Sequence, residues 1–192
     1  MDKISIKKDS TLKYEMADFD VCDPYTFTIN SFEGDLEFQW QMDESDSGVI
    51  KTERSALMNS TTIIPFSQGN YMTPNAPGHE MESKDCPVFI LSKKVFSELM
   101  DNKSSQLKIT QYENEHSKLN PLEFVAIEKR NIILNGNEIQ VEAVHAVIKG
   151  EKEYEADNIW ILNNAECPLV IRLEMDFTGG DNYWDLKELN LN

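Results

Sequence analysis

Asp35-Leu36-Glu37-Phe38-Gln39-Trp40-Gln41-Met42 alternates apolar and polar side chains without a break. Leu36, Phe38, Trp40 and Met42 fall on one side, and Asp35, Glu37, Gln39 and Gln41 on the other. A period of two is that of a β-strand with one face buried and one face wet. Just upstream, Tyr25-Thr26-Phe27-Thr28-Ile29-Asn30 alternates in the same way, and Glu33-Gly34 marks a turn between them. Together they predict a hairpin.

A second hairpin is written further on. Asn131-Ile132-Ile133-Leu134 runs into Asn135-Gly136, and an apolar-rich run from Ile139 to Ile148 follows. Asn-Gly between apolar runs is a strong short-range hairpin signal, because both residues tolerate positive φ. Further strands are expected at Val49–Thr52, Val88–Leu91, Gln106–Gln111, Leu122–Lys129, around Ile159, Trp160 and Leu162, and at Leu169–Phe177. Trp184–Leu191 reads as a final edge strand. Glu53–Asn59 has the composition of about two helical turns. Ser92 is placed to cap a helix from Lys93 to Met100, whose Val95, Phe96 and Leu99 share a face.

These elements predict a mainly β (α+β) chain. The architecture is a curved antiparallel sheet or half-barrel of about eight to ten strands packing on one short helix. The chain of 192 residues is read as a single β-rich domain. Residues 1–20 form a polar N-terminal arm or a weak first strand, and residues 65–87 a long Pro/Gly-rich loop.

Eighteen basic against 34 acidic residues give a net charge of −16. Such a surface repels phosphate backbones and anionic lipid, so nucleic acid is not an expected partner. No stretch reaches the length of a membrane span. The first residues carry no apolar core of a secretory signal, which points to the cytoplasm if the chain begins at Met1 and to the periplasm if a leader has been removed. Cys22, Cys86 and Cys167 are an odd number, so one disulfide with a free thiol and three reduced cysteines are the alternatives.

Motifs for catalysis are weak. Asp43-Glu44-Ser45-Asp46-Ser47-Gly48 begins like a calcium loop, but the twelfth position, which needs a bidentate carboxylate, is Arg54. An acidic hairpin loop is the expectation, with weak metal binding by Asp43 and Asp46 as its alternative. His79-Glu80-Met81-Glu82-Ser83 lacks the second histidine of a zinc helix. Asp176-Phe177-Thr178-Gly179-Gly180 matches only part of an aspartic-protease signature. No nucleophile elbow or phosphate-binding loop is present, and no cofactor is implied. His145 lies in phase with Ile139, Val141 and Ala143, so it points inward and finds a hydrogen-bond partner there. Phe38, Trp40, Phe89, Phe96, Phe124, Trp160 and Phe177 supply the core.

Val88-Phe89-Ile90-Leu91-Ser92-Lys93-Lys94-Val95-Phe96-Ser97-Glu98-Leu99 is a strand entering a helix. With Ile159-Trp160-Ile161-Leu162-Asn163-Asn164 and Pro168-Leu169-Val170-Ile171-Arg172, it resembles a group of uncharacterised bacterial β-rich domains, seen mainly in Bacteroidetes. That group is similar in outline to the periplasmic lipoprotein-carrier half-barrels. The likeness spans about residues 88–177. It implies a curved sheet over a helix and an extracytoplasmic location, and it brings no catalytic residues.

The functional expectation is therefore a non-enzymatic binding or assembly module. In one version it carries a small hydrophobic ligand in a concave sheet lined by Trp40, Phe96, Trp160 and His145. A protein-interaction domain using an acidic face is the alternative. A hydrolase-type enzyme, with His145 or the 65–87 loop at its site, is the second alternative.

Overall fold

The structure is a computed structural model that describes residues 4–18, 21–42, 47–63, 79–83, 87–109, 118–150, 156–175 and 182–192. The first four strands form an antiparallel meander: β1 (Thr11–Asp18), β2 (Val21–Ser31), β3 (Leu36–Gln41) and β4 (Ser47–Thr52). The alternation that opens the chain's reading decides their burial. Tyr25, Phe27 and Ile29 on β2 and Leu36, Phe38 and Trp40 on β3 all turn inward, with Phe27 directly opposite Trp40. A short helix α1 (Arg54–Asn59) and the two-residue β5 (Thr62–Ile63) follow. The described part of the long Pro/Gly-rich loop is β6 (His79–Ser83), a parallel strand on β4.

The second half holds α2 (Lys93–Asn102), β7 (Ser104–Ile109), β8 (Asn120–Leu134), β9 (Asn137–Lys149), β10 (Ala156–Leu162), β11 (Val170–Met175) and β12 (Asn182–Asn190). Eleven strands make one curved sheet in the order β7-β8-β9-β10-β11-β12-β1-β2-β3-β4-β6, and β5 lies parallel beside β7. The sequence reading of a curved antiparallel sheet with a short helix holds for this architecture.

Two positions differ from that reading. Thr11–Asp18 is no arm: β1 is paired along both edges in the middle of the sheet. Nor is the last strand an edge. β12 pairs with β1 along one side, and its other side is divided between β11, as at Leu173↔Trp184, and β8, at Glu188↔Ile133 and Leu189↔Leu134. Strands β8 to β12 therefore close on themselves. Trp184, Leu186 and Leu189 of this strand are buried.

The interior is built around Phe89. The segment Val88–Leu91 lies beside the start of β11: the Val170 amide donates to the Phe89 carbonyl at 2.6 Å, and the Leu91 amide to the Pro168 carbonyl at 3.0 Å. Phe89 has φ of +58°. This left-handed backbone costs an L-residue about 1–2 kcal/mol, so something must hold it there. The packing does. The Phe89 ring stacks on Tyr14 at 4.3 Å and meets the edges of Phe27 at 4.7 Å and Trp184 at 4.9 Å. Phe27 in turn meets Phe38 at 5.3 Å. One ring thus gathers β1, β2 and β12, and β3 through Phe27. Tyr14 adds a hydrogen bond from its hydroxyl to the Val170 carbonyl at 2.5 Å. Burial drives the Tyr14 phenol well above its usual pKa, which keeps it protonated as that donor.

Chain direction then changes at Ser92. Its hydroxyl accepts from the Val95 amide at 3.2 Å, as an N-cap should, and donates to the Ser60 carbonyl at 2.6 Å. Helix α2 buries Val95, Phe96 and Leu99, and Lys103 ends it with φ of +63°.

Phe89→Ala is expected to lower the unfolding free energy by about 3–5 kcal/mol, the range for removing a large buried aromatic ring. Urea unfolding followed by tryptophan fluorescence measures it. A loss of about 1 kcal/mol or less would show that the sheet closes without this ring.

Candidate functional site

Chemistry-bearing side chains converge on the β8–β9 hairpin. Its turn is Asn135-Gly136, with φ of +49° and +76°, the pair of positive values that a two-residue hairpin turn of this kind needs. Counting back along β8, the register shifts between Phe124 and Ala126. On the open side of this bulge Leu122 faces Ile148 and Phe124 faces Ala146. On the turn side Ala126 faces His145, Glu128 faces Ala143 and Arg130 faces Val141. Ala146 and His145 point to opposite faces of β9. One inserted residue therefore moves the even-numbered side chains of β8 from one face of the sheet to the other. This delivers Glu128 and Arg130 to His145.

On β10 Trp160 lies opposite His145. The imidazole stacks on the indole at 4.5 Å with the planes 10° apart, and the Arg130 guanidinium lies 4.1 Å from the indole centroid. Trp160 is only 6% exposed under these covers. Its Nε1–H donates to Glu128 Oε2 at 3.0 Å. His145 Nδ1 is 3.1 Å from Glu128 Oε1, and Nε2 is 3.0 Å from Asn158 Oδ1. The indole N–H bond, with His145 and Arg130 as smaller contributors, holds the Glu128 carboxyl below its usual pKa. Both imidazole nitrogens are engaged by neighbours. The cluster orients β8 against β9 and β10.

The polar band continues beside it. Arg172, opposite Trp160, bonds Glu174 at 2.7 Å and Asp185 at 3.2 Å. Lys187 bridges Asp185 and Glu15 at 2.8 and 3.1 Å. These bonds clasp β11, β12 and β1 on the face away from Phe89's neighbour Trp184.

The other edge of β8 is incompletely covered. β7 pairs with it only from Asn120 to Glu123, with Phe124 donating to the Lys103 carbonyl, and β12 pairs only at Ile133 and Leu134. Among the described residues, no strand lies against that edge from Val125 to Ile132. Exposed apolar side chains gather on this strand: Leu119 (49% exposed) at its entry, then Val125 (50%), Ile127 (47%) and Ile133 (40%). Met58 is the other large apolar residue exposed among the described residues.

Of the residues that the sequence singles out, the structure brings His145 and Trp160 together. Trp40 is buried on β3 between Phe27 and Gly48, and Phe96 is buried on α2. Asp43 and Asp46 lie outside the described residues, as do Cys86 and His116. The backbone of His79 is in β6, where it pairs with Gly48. Cys167 is a free, buried thiol that burial pushes up to about 12, so it is not a nucleophile at neutral pH. Among the described residues no three His, Cys, Asp or Glu side chains are grouped to hold a metal ion. Sequence reasoning missed Glu128, Arg130 and Asn158. No residue type announces the bulge that brings the first two to His145.

No family model, curated protein or solved structure matches the chain.

A lowered folded-state pKa gives Glu128 a stabilising contribution that is present above the ordinary carboxylate value of 4.5 and is lost as pH falls through the folded value. Glu128→Gln should therefore cost up to about 1 kcal/mol at pH 7, a figure kept small because the carboxylate is partly solvated. The cost should shrink as pH falls through that folded value. Thermal unfolding of both proteins at pH 7 and across the acid range checks this, and a cost independent of pH would remove the charge from the account.

Proposed function

We propose that this protein is a non-enzymatic binding module that takes an extended segment of a partner protein along the free edge of β8. The observation that carries the reading is the coincidence, from Val125 to Ile132, of backbone left unpaired among the described residues with the exposed apolar side chains of Val125 and Ile127. Unpaired strand edges recruit strands, and main-chain hydrogen bonds then supply the affinity. Eight residues of strand are about 27 Å long, enough for a short linear segment.

The flanks make the edge selective. β7 and β12 occupy the two ends of the same edge, so the gap admits one narrow strand and excludes the margin of another sheet. A bulge at Val125 and the charges of Lys129 and Arg130 further discourage indiscriminate pairing. The Glu128–His145–Trp160 cluster keeps β8 fixed to β9 and β10 while its other edge is open. A net charge of −16 favours protein over nucleic acid as the partner. Among the described residues no helix is long and apolar enough to cross a membrane.

Amide hydrogen exchange tests the open edge. Along an antiparallel strand amides point alternately to the two neighbours. In the free protein, about every second amide from Val125 to Ile132 should exchange fast, while its neighbours bonded to β9 are protected. Uniform protection across the segment would mean the edge is already occupied and would end the proposal.

A further inference from the structure

Resting on that reading, we infer that the segment taken by β8 carries a carboxylate followed toward its C-terminus, at two-residue steps, by β-branched apolar side chains, and that it runs antiparallel to β8. Beyond the bulge the register is unbroken from Ala126 to Leu134, so Ile127, Lys129, Asn131 and Ile133 share one face. Each of these asks something different of an incoming strand. Ile127 is half exposed and presents apolar surface. Lys129 is exposed and lies opposite Glu142 on β9, yet among the described residues it makes no ion pair. Asn131 is already satisfied, donating to Glu138 at 2.8 Å and accepting from Gln140 at 3.5 Å.

Directly opposed side chains on paired strands are close enough to interact, and opposite charges there are favourable while like charges are not. The residue facing Lys129 should therefore be acidic, and the one facing Ile127 apolar. Val125, exposed at the bulge, extends the apolar requirement by one more step. On the opposite face Glu128 and Arg130 are already held by Trp160 and His145, so the intervening positions suit small polar residues. Of the two strands on this edge, β7 lies antiparallel and β12 parallel to β8, so the antiparallel direction rests on the slightly greater stability of antiparallel pairs. A net charge of −16 would by itself draw in basic peptides, so a preference for an acidic residue at this position is a local property of Lys129.

The test titrates ¹⁵N-labelled full-length protein, at physiological salt, with two blocked synthetic peptides. One is Ser-Thr-Glu-Thr-Val-Thr-Val-Thr, and the other has Lys in place of Glu. Amide signals of residues 126–132 should move with the first peptide, and the second should bind about fivefold to tenfold more weakly. Lys129→Glu, at an exposed position, should reverse the order. Equal binding of both peptides to the native protein overturns the charge rule while leaving strand addition standing. No movement of these signals with either peptide overturns both.

Discussion

The packing of the Phe89 ring is the constraint on which the rest depends. A sheet this long and this curved encloses an interior that its own strands do not fill. Phe89 enters that interior from a connecting segment, in a backbone conformation that is unfavourable for its residue type. The aromatic contacts with Tyr14, Phe27 and Trp184 offset that cost. Because those three rings come from strands at opposite ends of the sequence, the plug also fixes which strands are neighbours. The Ser92 cap and α2 follow directly from where Phe89 leaves the chain.

A second constraint is the single extra residue in β8. Without it, Glu128 and Arg130 would lie on the other face from His145, and Trp160 would keep a buried indole N–H with no carboxylate to receive it. An unsatisfied buried donor of that kind costs about 1–3 kcal/mol. The bulge thus assembles the polar cluster, and it leaves Val125 exposed beside a stretch of edge that neither β7 nor β12 reaches. Rigidity on one side of β8 and vacancy on the other have the same local origin.

That pairing of features makes sense of a protein whose overall charge says little. An excess of acids gives the whole molecule a net charge of −16, but it does not single out a face. On the proposed reading the discriminating surface is small: Lys129, which makes no ion pair among the described residues, between the exposed Ile127 and Ile133. Binding energy for an added strand comes mainly from the backbone and is indifferent to sequence. Selectivity is left to the few alternate side chains that meet across the pair.

Local states were written in the order of the residues. Alternation placed Leu36, Phe38 and Trp40 inward, Asn135-Gly136 set the long hairpin, Ser92 began the helix, and the need of His145 for a hydrogen-bond partner was legible. Local periodicity states which side of a strand is buried, and hydrogen-bonding capacity states what a buried histidine requires. Which strands meet was settled by packing across the closed sheet. β12 was read as an edge, although it pairs with β1, where Lys13 and Glu188 join across 175 residues of sequence. The same packing also decided that Glu128, Arg130 and Asn158 surround His145 and Trp160, and that among the described residues no strand covers one edge of β8 from Val125 to Ile132. Strand neighbours are chosen by which faces and rings fit together in the closed sheet, and a bulge shifts that fit by one residue without leaving a mark in composition.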